Sequence, residues 1–167
     1  MRKVTFETLN PSSKIFEVLN NNNFAWWERF KSESSFYIEV RKDNQINVYH
    51  EGGNVVRLHY CSKRNVLQAF THCKYLGREE LKNKYLNCID ILDAEIDNIV
   101  SRIKGIYSEK NGVNKEKWSE KYIQGRLIEN GRTKYIDSEF AYKNEETDIR
   151  IDLIECVNGE IRFVELK

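Results

Sequence analysis

The 167-residue chain reads as an α+β protein. Three observations predict this. Short alternating apolar runs, broken by turn residues between 36 and 76, predict an antiparallel sheet. Apolar residues at helical spacing between 79 and 106 predict a long helix beyond it. Asn158-Gly159, flanked by the apolar runs 149–156 and 161–166, predicts a hairpin closed by a two-residue turn.

Residues 12–20 carry Ile15, Phe16, Val18 and Leu19 at amphipathic spacing, with Ser12 or Ser13 as N-cap. Asn20–Asn23 breaks that helix. Residues 24–30 hold Trp26 and Trp27 and predict a helical turn on a sheet. The pair reads as core or interface, with a base-stacking platform as the alternative. Residues 36–40 and 46–50 flank Asp43-Asn44 as a hairpin, and Gly52-Gly53 marks the next turn. Residues 55–61 alternate, with Arg57 and His59 on one polar face. Residues 67–76 read as a further strand, which gives three or four strands. Leu86, Ile89, Leu92, Ile96, Ile99, Val100 and Ile103 then define one helix over 79–106. Asn111-Gly112 marks a loop or boundary. A second helix spans 115–130, with Trp118, Tyr122, Ile123 and Leu127 on one side, Asn114 as cap and Asn130-Gly131 as stop. A strand follows at 134–142.

The terminal hairpin carries the chemistry. A two-residue turn sets Val157 against Glu160, Cys156 against Ile161, Ile154 against Phe163 and Asp152 against Glu165. Opposed residues share a face, with Cβ atoms roughly 4.5–5.5 Å apart. Period two adds Lys167 to that face. Like charges opposed across a strand pair are destabilising. On a face shared with Ile154, Ile161 and Phe163, two carboxylates call for a cation, and a hard divalent ion takes oxygen ligands. The plain alternative is an exposed strand end where both acids are solvated and nothing binds.

An Asp, a hairpin, then Glu-X-Lys ending an apolar strand resembles the signature of the PD-(D/E)XK nuclease superfamily. Asp152 and Glu165-Leu166-Lys167 carry the resemblance, with the apolar approach Ile161-Arg162-Phe163-Val164. It covers residues 115–167, and Ile151 stands where the family has Pro. The resemblance makes 115–167 a partial restriction-endonuclease-like core; the residues before it read as an N-terminal α+β domain for recognition or interaction at 1–84 and a helical connector and loop at 85–114. The family's next helix and strand do not follow Lys167. The expectation is therefore a fragment of a longer protein, or a partner that covers the sheet and its edge.

The implied activity is metal-dependent phosphodiester hydrolysis of nucleic acid, with DNA ahead of RNA and a homodimer admitted. Asp152, Glu165 and the Leu166 carbonyl would hold Mg²⁺ or Mn²⁺, and Lys167 would orient or deprotonate the water. Such a helix often adds an acid; Glu116 has a slightly better angle than Glu120, and both also read as surface charge. Glu139, on a neighbouring strand, is a further acid that would shape the site. Lys121, Arg126 and Lys134 are candidates for phosphate contacts.

Composition bounds the rest. The chain is 40% hydrophobic with one Pro and eight Gly, enough to build a core. It has no membrane-spanning run or secretory signal, and its four Cys lack metal-site spacing, so a reduced, cytoplasmic protein is expected. His59, Cys61, His72 and Cys73 read as strand residues and core fillers rather than a zinc set. Net charge is only +1, but residues 57–84 hold seven basic against two acidic side chains and residues 115–134 six against three. Residues 135–167 hold nine acidic against four basic. A basic middle beside an acidic end fits phosphate binding next to a metal pocket, and equally fits solvated faces. A non-catalytic nucleic-acid-binding or protein-interaction module with a structural nuclease-like core is the competing functional class.

Overall fold

The computed structural model describes residues 13–42, 45–112, 120–130, 135–143 and 148–166. Helix α1 (Lys14–Asn21) and helix α2 (Ala25–Ser32) precede five antiparallel strands in sequential order: β1 (Tyr37–Lys42), β2 (Gln45–His50), β3 (Gly53–Cys61), β4 (Val66–His72) and β5 (Tyr85–Asn87). Helix α3 (Leu92–Gly112) and helix α4 (Glu120–Asn130) lead to a three-stranded sheet of β6 (Tyr135–Lys143), β7 (Asp148–Val157) and β8 (Glu160–Val164). The architecture is α+β, as the sequence predicts.

Alternation decides which face of the first sheet is core. Val56, Leu58, Tyr60, Leu67, Ala69 and Thr71 point inward and are buried. Against them pack Ile15, Phe16 and Leu19 of α1, then Trp26, Trp27 and Phe30 of α2, and Leu92, Ile96, Ile99 and Ile103 of α3. Trp26 and Trp27 are each 2% exposed, which gives them the core role rather than a stacking platform. Arg29 donates to Glu33 and to Asp97, both at 2.6 Å, and ties α2 to α3. That guanidinium holds the Asp97 carboxyl below the ordinary range. Ser13 is the N-cap of α1 but makes no capping bond.

Two stretches differ from the sequence reading. Residues 67–76 are a strand only to His72; a 3₁₀ turn, Cys73–Leu76, follows, with the His72 ring nitrogen accepting from the Lys74 amide. The helix expected from residue 79 begins at Leu92. Before it come a 3₁₀ turn, Glu79–Leu81, and strand β5. Lys82 and Asn83 both adopt positive φ (36° and 58°), which ends any right-handed helix there. Leu86 matched the helical period by coincidence; in the structure it lies opposite Thr71 in the sheet. Residues 85–106 therefore belong to the packing of the first sheet.

The second sheet meets the first through α4. Ile128 and Leu153 pack with Tyr37 and Tyr49, whose rings stack at 4.9 Å, and Leu127 and Val164 close the contact. Gly125 lies so close to the β2–β3 turn that a Cβ there would sit 2.3 Å from the Gly52 nitrogen. The helix can dock only because that position lacks a side chain.

Candidate functional site at the β7–β8 strand end

The hairpin register matches the sequence reading at Val157–Glu160, Cys156–Ile161 and Ile154–Phe163, while the expected Asp152–Glu165 pair lies outside the paired residues. Val157 pairs with Glu160, Cys156 with Ile161, Ile154 with Phe163 and Leu153 with Val164. Asn158 and Gly159 both take positive φ, 53° and 82°, as a type I′ turn requires. Asp152 precedes the last paired residue of β7 and Glu165 follows the last of β8. Both acids thus stand one step beyond the final β7–β8 rung, Glu165 just outside the strand.

Strand β6 extends that row. Ser138 pairs with Leu153 and Phe140 with Ile151, so Glu139 stands abreast of Asp152 on its other side. Two acidic positions therefore stand abreast on β6 and β7, and Glu165 follows the end of β8. The Glu139 side chain lies outside the described residues, as do those of Glu120, Lys121 and Arg126 on α4. Glu116, Lys134 and Lys167 lie outside them altogether. Among the described residues, no group of three or more His, Cys, Asp or Glu side chains forms a metal-holding cluster.

Asp152 is half-buried and anchored at both its backbone and its side chain. Its Oδ2 accepts the Leu166 amide proton at 2.7 Å. Its carbonyl accepts from Gln124 Nε2, also at 2.7 Å. Gln124 is 6% exposed, so this bond satisfies a buried amide and fixes α4 against β7. The Leu166 bond replaces the ladder where β8 ends, and it keeps the Glu165-Leu166 segment beside Asp152. Among the described residues, the second oxygen of Asp152, Oδ1, has no hydrogen-bond partner. Glu165 itself is exposed.

The apolar setting is divided. Ile154 is fully buried, whereas Ile161 and Phe163 on the same face are 54% and 62% exposed. The half-buried face expected around the acids is therefore buried at β7 and open at β8. An ion here would meet carboxylate and carbonyl oxygens, a donor set that suits a hard divalent cation. Gln124 is the member sequence reasoning missed. Its signal was a polar amide one position from the helix glycine and one turn before Ile128.

No protein-family model, curated protein or solved structure matches this chain. No helix among the described residues is long and apolar enough to cross a membrane.

Proposed function

We propose that the β7–β8 strand end is the site of a metal-dependent endonuclease of the PD-(D/E)XK type, acting on DNA. The observation that supports this reading is the pair of acidic positions 139 and 152, abreast on adjacent strands, with Glu165 one residue past the end of β8 and its neighbour Leu166 bonded to Asp152. Such a grouping opposes like charges unless a cation joins them.

In this reading Asp152 Oδ1, Glu165 and the Leu166 carbonyl would hold Mg²⁺ or Mn²⁺, with Glu139 as a further acid. The bound ion would lend positive charge to the scissile phosphate and acidify a water. The chain's own residues do the rest. The Leu166 amide fixes the Asp152 carboxylate through Oδ2, so its free oxygen is preorganised. Gln124 holds the strand that presents it. Lys167 orients or deprotonates the attacking water. Glu116 or Glu120 would supply the helix acid, and Glu120 stands one turn before Gln124 on α4. Lys121, Arg126 and Lys134 contact backbone phosphates and position the strand without reading sequence.

The test is nicking of supercoiled plasmid DNA in Mg²⁺. Asp152→Asn is the informative variant, because an amide oxygen still accepts the Leu166 proton while the charge is gone. Asp152→Asn and Lys167→Ala should each lower the rate by at least about a hundredfold. Undiminished cleavage by both removes the assignment. A second reading, a non-catalytic interaction module, draws on the exposed Ile161 and Phe163 beside the acids.

A further inference from the structure

We propose that the outer face of strands β3, β4 and β5 binds single-stranded nucleic acid by stacking unpaired bases. This goes beyond the hydrolytic reading and does not depend on it.

The registry defines the face. Glu39, Asn47, Arg57, Phe70 and Asn87 form one continuous row across all five strands. Beside it, Gln45, His59 and Gln68 form a second row, and His72 lies opposite Tyr85. At the β1–β2 end this face is covered, since Tyr37 and Tyr49 pack under Ile128 and Leu153. Toward β5 it opens. Arg57, His59, Gln68, Phe70 and His72 are half-buried, Asn87 is exposed and Tyr85 is 46% exposed.

The chemistry of the open part is specific. Strands β3, β4 and β5 contain no Asp or Glu. The seven positions named from Arg57 to Asn87 are two rings, two imidazoles, a guanidinium and two amides, and Cys61 and Val66 continue the same face. Tyr85 is the centre. The Arg57 guanidinium lies 5.0 Å from its ring centroid, and the His72 ring meets it edge-on at 5.3 Å. Among the described residues, the buried Arg57 Nε has no hydrogen-bond partner, while its guanidinium carbon lies over the Tyr85 ring. Burial and the neighbouring Lys74 lower the pKa of His72, so near neutral pH it offers a neutral ring beside the cation.

Basic side chains frame the platform. Lys63 and Arg64 sit exposed in the β3–β4 turn, and Arg78, Lys82 and Lys84 are exposed between β4 and β5. Phosphates on such a rim and bases on the rings match how single strands are held: stacking supplies affinity and the cations follow the backbone. Duplex DNA fits poorly, because its bases are read by a helix or ribbon entering a groove, not by a broad sheet face.

The test uses the full chain in EDTA, where metal-dependent cleavage plays no part. The probe is fluorescein-labelled oligothymidylate, read by anisotropy. Wild type should bind, and binding should weaken as salt rises. Tyr85→Ala should lose about tenfold in affinity, whereas Tyr85→Phe keeps the ring and should stay within about twofold. Arg57→Gln should also cost about tenfold and flatten the salt slope by about one. Lys14→Gln, on α1 behind the sheet's core face, should bind as wild type. Circular dichroism and melting confirm that each variant is folded. Absence of salt-sensitive binding by wild type, Tyr85→Ala binding as wild type, or an unlabelled duplex competing as well as the single strand would each overturn the proposal.

Discussion

Gly125 shows how one position can reverse an ordinary expectation. In a helix interior, Gly→Ala stabilises by about 1 kcal/mol on propensity alone. Here the added methyl would meet the Gly52 nitrogen at 2.3 Å and the Glu51 carbonyl carbon at 2.8 Å, both backbone atoms that cannot rotate aside. Overpacking of that kind costs typically about 1–3 kcal/mol. Gly125→Ala should therefore destabilise the protein by up to about 2 kcal/mol net of propensity, read as a fall in the urea midpoint at unchanged slope. A midpoint that rises would show that α4 does not lie against the turn. The glycine is visible in the sequence, but its reason is not, since only the assembled structure brings residues 52 and 125 together. Gln124 is similar. Its partner is a carbonyl 28 residues away, and no local pattern names it.

At the scale of elements, the terminal hairpin was legible and β5 was not. Asn158-Gly159 supplies the two positive φ values that only a few residue types tolerate, so turn and register followed from a dipeptide. The expected opposition of Asp152 and Glu165 falls one step past the paired residues. Strand β5 is three residues long and earns its place through pairing with β4, so no periodicity announces it. The turn in the hairpin is also testable by itself. Gly159 sits at φ 82°, and no atom lies within 4 Å of the point a methyl carbon would occupy, so Gly159→Ala would introduce backbone strain without a clash. It should cost about 1–2 kcal/mol in urea denaturation. A neutral result would mean that the strand reversal is not the type I′ turn on which the placement of the acids depends.

Across the molecule, the two sheets share a boundary made of α4 and the stacked Tyr37 and Tyr49. An ion bound at the β7–β8 end would stabilise the whole by mass action. At a hundredfold excess over its dissociation constant this amounts to about 2.7 kcal/mol, or roughly 5–10 °C in Tm for a chain of this size. Mg²⁺ or Mn²⁺ should raise the Tm of wild type, and Asp152→Asn should abolish the shift. An unchanged Tm in saturating metal would favour the non-catalytic module. Asp152 is meanwhile two things at once: a prospective ligand and the acceptor that tethers the chain after β8. A lineage that lost the chemistry would still be pressed to keep an acceptor at 152, because dropping it frees the strand's end. Glu165, exposed and without a hydrogen bond among the described residues, tethers nothing. It is at 165, and not at 152, that ancestry would record whether selection acts on the reaction or only on the scaffold.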